Sequence, residues 1–152
     1  MPRVAAAAPA PEPARPARNA AAGQLIGIAV LCIDNEPAIL DGMQTLLGGW
    51  GCRVVTAENL AQALAAIEAS GVEPDGLLVD YHLDGGNGLG VIGELRCRYG
   101  RDLPAILVTA DRSAHVREEA RVATAHILNK PVKPASLRAL ITQWRVQREA
   151  AE

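Results

Sequence analysis

The stretch from Leu77 to Gly88, LLVDYHLDGGNG, contains the residues whose types and order point most directly to chemistry. Leu77, Leu78 and Val79 form an apolar run of the kind found in a strand buried on both faces. The run ends on a carboxylate, Asp80, and the cluster Asp84, Gly85, Gly86, Asn87 and Gly88 comes next as a loop. A strand that delivers one acid to its carboxyl end, followed at once by a glycine-rich loop, is how open α/β folds present a reactive group. The plainer reading is an Asp80 that merely caps the next helix. Three more polar residues occupy equivalent places: Asp34 after IAVLCI, Thr109 after AILV, and Lys130 shortly after Ile127-Leu128. Singly each is commonplace; together they form a site only if the fold gathers them at one edge. Gathered carboxylates repel, by on the order of 4 kcal/mol for a pair ~4 Å apart at an effective dielectric of ~20. A divalent cation relieves that repulsion.

The elements that must position these residues alternate between two periods. Ile28 to Ile33 reads as a buried strand, and Pro37 suits the first turn of a helix carrying Ile39, Leu40, Met43, Leu46 and Leu47. Gly48-Gly49 is expected to stop that helix. Val54-Val55 is a second short strand, and Leu60, Ala63, Leu64 and Ile67 mark a helix closed by Gly71 and Pro74. Leu77 to Asp80 is the third strand, and Leu89 to Tyr99 a helix ending at Gly100. Ala105 to Thr109 is the fourth strand, and a weakly amphipathic helix runs from about Ser113 to Val122. Ile127-Leu128 forms a short fifth strand before a last helix through Leu137, Leu140, Ile141 and Trp144. Five strands alternating with five helices imply an α/β, doubly wound parallel sheet, with ligands bound outside the carboxyl ends of the strands.

Composition narrows the possibilities. A chain of 152 residues with net charge −2 is one domain with no electrostatic footprint for nucleic acid. Residues 1–24 are rich in Ala and Pro, show no apolar period, and read as a disordered linker or tail, which leaves 25–150 as the folded domain. That segment lacks the compact apolar core of a secretion signal, and no apolar stretch is long enough for a bilayer, so a cytoplasmic location is expected. Cys32, Cys52 and Cys97 are too widely spaced for a disulfide framework or a zinc site. His82, His115 and His126 lack ligand spacing, and Arg138, Arg145 and Arg148 on the last helix read as ordinary helix-end cations. The Gly48-Gly49-Trp50-Gly51 turn falls at the opposite edge of the sheet and is expected to be structural.

From about residue 26 to 149 the chain resembles the receiver domain of two-component response regulators, notably those that end hybrid sensor histidine kinases. The segments that carry the resemblance are IDNEPAIL at 33–40, LLVDYHLDGGNG at 77–88, ILVTA at 106–110 and KPVKP at 130–134. The resemblance implies a flavodoxin-like fold with strand order 2-1-3-4-5. It implies a phosphoryl acceptor at Asp80, a phosphohistidine on a histidine kinase or phosphotransfer domain as donor, and Mg²⁺ as cofactor. Asp34, Asn35, Asp80 and the His82 main-chain carbonyl would hold the metal; Lys130 and the Thr109 hydroxyl would meet the phosphoryl charge. It further implies a cis Lys130-Pro131 bond, a switched protein-interaction surface, and a signalling module rather than an enzyme turning over an external substrate. No direct contact with nucleic acid or membrane is expected.

Two positions depart from the family pattern. Asn35 stands where a second acid is usual, which weakens the metal site and leaves open an alternative, a non-phosphorylated pseudo-receiver acting as an interaction module. Ile127 stands where a switching Tyr or Phe is common, so any conformational signal is expected to pass through Thr109, the segment 110–113 and the helix after it.

Overall fold

The computed structural model describes residues 25–83 and 86–151. The Ala/Pro-rich segment 1–24, together with Asp84 and Gly85 of the expected loop, lies outside the described residues. The sheet strands are β1 (Ala29–Ile33), β2 (Arg53–Ala57), β3 (Gly76–Asp80), β4 (Ala105–Thr109) and β5 (His126–Asn129). They alternate with α1 (Pro37–Gly49), α2 (Leu60–Ser70), α3 (Gly88–Tyr99), α4 (Ala114–Val122) and α5 (Pro134–Ala151). All four pairings are parallel, with Ala29 beside Arg53, Val30 beside Gly76, Leu77 beside Ala105 and Ile106 beside His126. The spatial order is therefore β2-β1-β3-β4-β5, as the resemblance leads one to expect.

Every residue of β1, β3 and β4 is buried, because helices cover both faces of the sheet. Side chains alternate between those faces. Leu31, Ile33, Leu77, Val79, Ala105 and Leu107 pack with α2, α3 and α4. Val30, Cys32, Leu78, Ile106 and Val108 pack with α1 and α5. With no Phe in the chain, both layers are almost wholly aliphatic, and among the described residues Trp144 of α5 is the one aromatic ring fully enclosed. Its indole lies where a Cβ on Gly76 would be, 2.4 Å from the nearest ring atoms, so the strand can start there only as glycine.

Local chemistry sets most boundaries. Pro37 opens α1, Asn59 caps α2 through the Gln62 N–H, and Gly71 ends α2 in the left-handed region at φ 71°. Gly48 and Gly49 remain helical, contrary to expectation, and α1 closes one residue later. The Trp50 and Cys52 N–H groups both donate to the Leu47 carbonyl, and buried Leu47 holds that turn in the core. The glycine cluster after β3 also differs from a plain loop: Gly86–Asn87 pairs antiparallel with His82–Leu83, and Gly88 already belongs to α3. Helix α4 is better segregated than expected, yet its buried stripe is narrow, only Val116 and Ala120.

Gly76→Ala should lower the unfolding free energy by about 1–3 kcal/mol, since the added methyl must displace a packed indole. Chemical denaturation checks this, with Trp144 fluorescence as a reporter of the local change.

Candidate functional site

β1 and β3 lie side by side, so the residues that end them, Asp34 and Asp80, become neighbours at the carboxyl edge. Both are buried, at 5% and 6% exposure. β5 delivers Lys130 to the same place from the far side of β4. Its Nζ lies 3.4 Å from Asp80 Oδ1 and 4.0 Å from Asp34 Oδ2, one ammonium shared by two acids. The backbone around Lys130 is tied down as well: its N–H donates to the Thr109 carbonyl at 2.9 Å, and the Lys130–Pro131 bond is cis, as expected.

One ammonium does not balance two buried carboxylates. Burial, reinforced by the Asp80 charge, pushes the Asp34 carboxyl above the ordinary aspartate range. The Glu36 N–H, 2.9 Å from Asp34 Oδ1, and Lys130 act in the opposite direction but do not cancel it. The edge therefore carries excess negative charge, the condition under which a cation binds. Among the described residues no group of three His, Cys, Asp or Glu side chains converges on one point. A cation here would draw on the two carboxylates and on neutral oxygens, a donor set that fits Mg²⁺, which keeps several waters.

Asp80 is not a helix cap. The α3 N-cap is Asn87, whose Oδ1 accepts from the Leu89 and Gly90 N–H groups. A close approach shapes the turn after Asp80: the Gly88 N–H donates to the Tyr81 carbonyl at 2.8 Å, and a Cβ on Gly88 would sit 2.3 Å from the Asp80 carbonyl oxygen. Glycine at 88 brings α3 in under the acid. The same turn lays out the backbone of His82, whose side chain is exposed.

Thr109 is fully buried at the end of β4, one residue past Val108, the register partner of Asp80. Its Oγ1 accepts from the Asp111 N–H at 3.0 Å, and its carbonyl also accepts from Asn129 Nδ2 at 3.1 Å. In turn the Asp111 carboxylate accepts from the Ser113 N–H at 2.8 Å, which holds Asp111 below the usual carboxylate range. Thus Asp34, Asp80, Thr109 and Lys130, distant in sequence, all stand at the same edge. Asn35 comes directly after Asp34 there.

Residues 30–142 match the response regulator receiver domain family. This chain belongs to that family. The receiver domain is 34% identical over 114 residues to the two-component response regulator PprB of Pseudomonas aeruginosa, covering 72% of this chain and 40% of that protein. It is 31% identical over 121 residues to the sensor histidine kinase GacS of Pseudomonas protegens, covering 76% of this chain and 13% of that one. The chain thus spans less than half the length of either relative. Its fold matches the CheY-like receiver domain protein of Methanospirillum hungatei with TM-score 0.72 at 24% identity, over 83% of this chain and 99% of that one.

Beside the acids the receiver has a cavity of about 240 Å³, walled by Ile39, Leu40 and Met43 of α1 and by Pro131 and Val132 after β5. Apolar walls keep the local dielectric low and strengthen each charge at the edge. The remaining candidates from the sequence do not join it. Cys32 and Cys52 are buried free thiols, and burial pushes both thiols up, Cys52 to about 11. Arg138 lies over the Trp50 ring and Arg145 donates to the Ile26 carbonyl, while the Arg148 side chain is outside the described residues. Gly51, at φ 95° and closely backed by Ile26, shapes the turn after α1, while Gly48 and Gly49 belong to the helix itself. No described helix is long and apolar enough to cross a membrane.

Sequence reasoning missed one feature: the Tyr81 hydroxyl donates to Glu119 Oε1 at 2.6 Å, joining the end of β3 to α4. Only the folded topology brings these two residues together, so sequence spacing gives no signal for it.

Because the Asp34 pKa is raised in the fold, this group favours the folded state fully below its unfolded pKa, and that contribution is lost as pH rises through the raised value. At neutral pH the ionised acid therefore costs stability. Asp34→Asn should stabilise the cation-free protein near pH 7, with the gain fading as pH falls into the carboxylate range. Urea denaturation at a series of pH values, in chelator, measures it.

Proposed function

We propose that this receiver domain accepts a phosphoryl group on Asp80 from a phosphohistidine of a histidine kinase or histidine phosphotransfer domain. One observation carries the reading: Lys130 Nζ stands 3.4 Å from Asp80 and 4.0 Å from Asp34 at the carboxyl edge of a parallel sheet. An Asp80 oxygen attacks phosphorus, the N–P bond of the donor breaks, and its electron pair leaves with the imidazole. The product is an acyl phosphate on Asp80. Lys130 is already placed to hold one of the new anionic oxygens. The Thr109 hydroxyl, buried at the same edge, has a proton to donate to another.

Asp34 and Asp80, with Asn35 and the His82 main-chain carbonyl, are the groups that would hold Mg²⁺. When bound, the ion would neutralise the acids and the entering phosphoryl oxygens, the electrostatic contribution on which phosphoryl transfer chiefly depends. Asp34 orients that charge through its bond from the Glu36 N–H, and the apolar wall of α1 limits water. The working unit is 25–150, with 1–24 as a linker, in a cytoplasmic pathway. Similarity to PprB and to GacS is compatible with a response regulator and with the receiver of a hybrid kinase, and the segments IDNEPAIL and LNKPVKPASLR favour the latter. Asn35 supports the alternative of a pseudo-receiver, which takes no phosphate and works through its surface alone.

A small phosphodonor with Mg²⁺ should raise the intact mass by one phosphoryl group, and Asp80→Asn should abolish the gain. Unlabelled wild-type protein would favour the pseudo-receiver. Asn35→Asp should bind Mg²⁺ tighter, by roughly tenfold for one added carboxylate at a partly solvated site. A Mg²⁺ titration of both proteins reads this directly.

A further inference from the structure

Tyr81 comes directly after the acceptor, and successive residues of an extended strand point to opposite faces. The Tyr81 N–H continues the ladder by donating to the Val108 carbonyl at 2.8 Å. Asp80 thus faces the charged edge, whereas the Tyr81 ring packs into the layer shared by α2, α3 and α4. There its hydroxyl meets Glu119 of α4 at 2.6 Å, with the His82 ring edge-on to the tyrosine and His115 Nε2 3.5 Å from the same Glu119 oxygen.

α4 has few other anchors. Val116 and Ala120 are its buried residues, and Val122 is 70% exposed. At its carboxyl end the Arg96 guanidinium of α3 donates to the Ala123 and Thr124 carbonyls, the latter at 2.9 Å. Arg96 is in turn fixed to the Leu103 carbonyl at 2.9 Å. The helix is therefore clamped at one end to α3 and tied in its middle to the residue beside Asp80.

We propose that the Tyr81–Glu119 hydrogen bond is the tie that holds α4 in the unmodified domain, and that phosphoryl charge on Asp80 releases it. The proposal rests on Asp80 as the acceptor. Ile127 of β5 has no hydroxyl and no ring, so β5 cannot perform this task. The release begins at Thr109: as its hydroxyl turns to a phosphoryl oxygen, the bond from the Asp111 N–H gives way. Asp111 leads through its bond with Ser113 to the cap of α4, where Ser113 Oγ accepts from the Val116 N–H. A single short helix, roughly 13 Å long at 1.5 Å per residue, moves as a rod. Displacement of its capped end about the Arg96 clamp pulls Glu119 away from Tyr81, and hydrogen bonds weaken steeply with distance and angle.

Hydrogen-exchange mass spectrometry of the full chain tests both halves, with intact mass recording phosphorylation of Asp80 separately. In unmodified protein, Tyr81→Phe and Glu119→Ala should speed exchange of the α4 amides by roughly two- to tenfold, the weight of one hydrogen bond. Glu119→Gln, which keeps an acceptor, should stay near wild type, and α2 should be unchanged in all three. Wild-type exchange in α4 of both Tyr81→Phe and Glu119→Ala would overturn the tie. With beryllofluoride on Asp80, wild-type α4 should speed up towards the Tyr81→Phe level while Tyr81→Phe gains little. An equal further gain in both, or no gain in wild type, would overturn the release. Failure of Asp80 to take phosphate at all would instead overturn the acceptor reading and the release with it, and the unmodified arms would still decide the tie.

Discussion

Two buried carboxylates share one ammonium at the carboxyl edge of this sheet, and much else in the structure serves that arrangement. Asp34 and Asp80 are neighbours because β1 and β3 pair in parallel, and Lys130 reaches them because β5 ends at the same level beyond β4. The balance is incomplete in physical terms: burial and the Asp80 charge raise Asp34 despite Lys130 and the Glu36 N–H. Sites that store such imbalance commonly do so for function, since the missing positive charge is what a ligand supplies.

The sheet separates the charged edge from the Tyr81 ring. The face covered by α1 and α5 carries the acids, Lys130 and the apolar cavity, while the face covered by α2, α3 and α4 receives Tyr81. Alternation along β3 thus places Asp80 and Tyr81 on adjacent residues but on opposite sides of the sheet. Gly88 allows the two to coexist, because its missing side chain leaves room for the Asp80 carbonyl under α3.

Much of this was legible in the sequence. Apolar runs mark the five strands, and four of them lead to the polar residues of the edge, Asp34, Asp80, Thr109 and Lys130, because a strand buried on both faces can tolerate polarity only where it emerges. The strand order came from the resemblance, and the structure agrees. Contacts between segments distant in the chain decided the features that escaped. Gly48 and Gly49 should end a helix by propensity, yet Leu47 anchors that turn in the core and α1 runs through them. The Gly86–Asn87 pairing with His82–Leu83 is too short to leave a period, and the Tyr81–Glu119 bond spans 38 positions. The narrow stripe of α4 hid a sharper division of polar and apolar residues than its composition suggested.

The central claim is that Asp80, rather than another acid of the same edge, carries the phosphoryl group. Borohydride reduces an acyl phosphate to an alcohol, so an aspartate that bears one becomes homoserine and keeps a permanent mark. After phosphorylation with Mg²⁺, reduction and proteolysis, the account predicts homoserine at position 80 alone. Homoserine at Asp34 or Asp111, or label retained on a histidine with position 80 untouched, would contradict it.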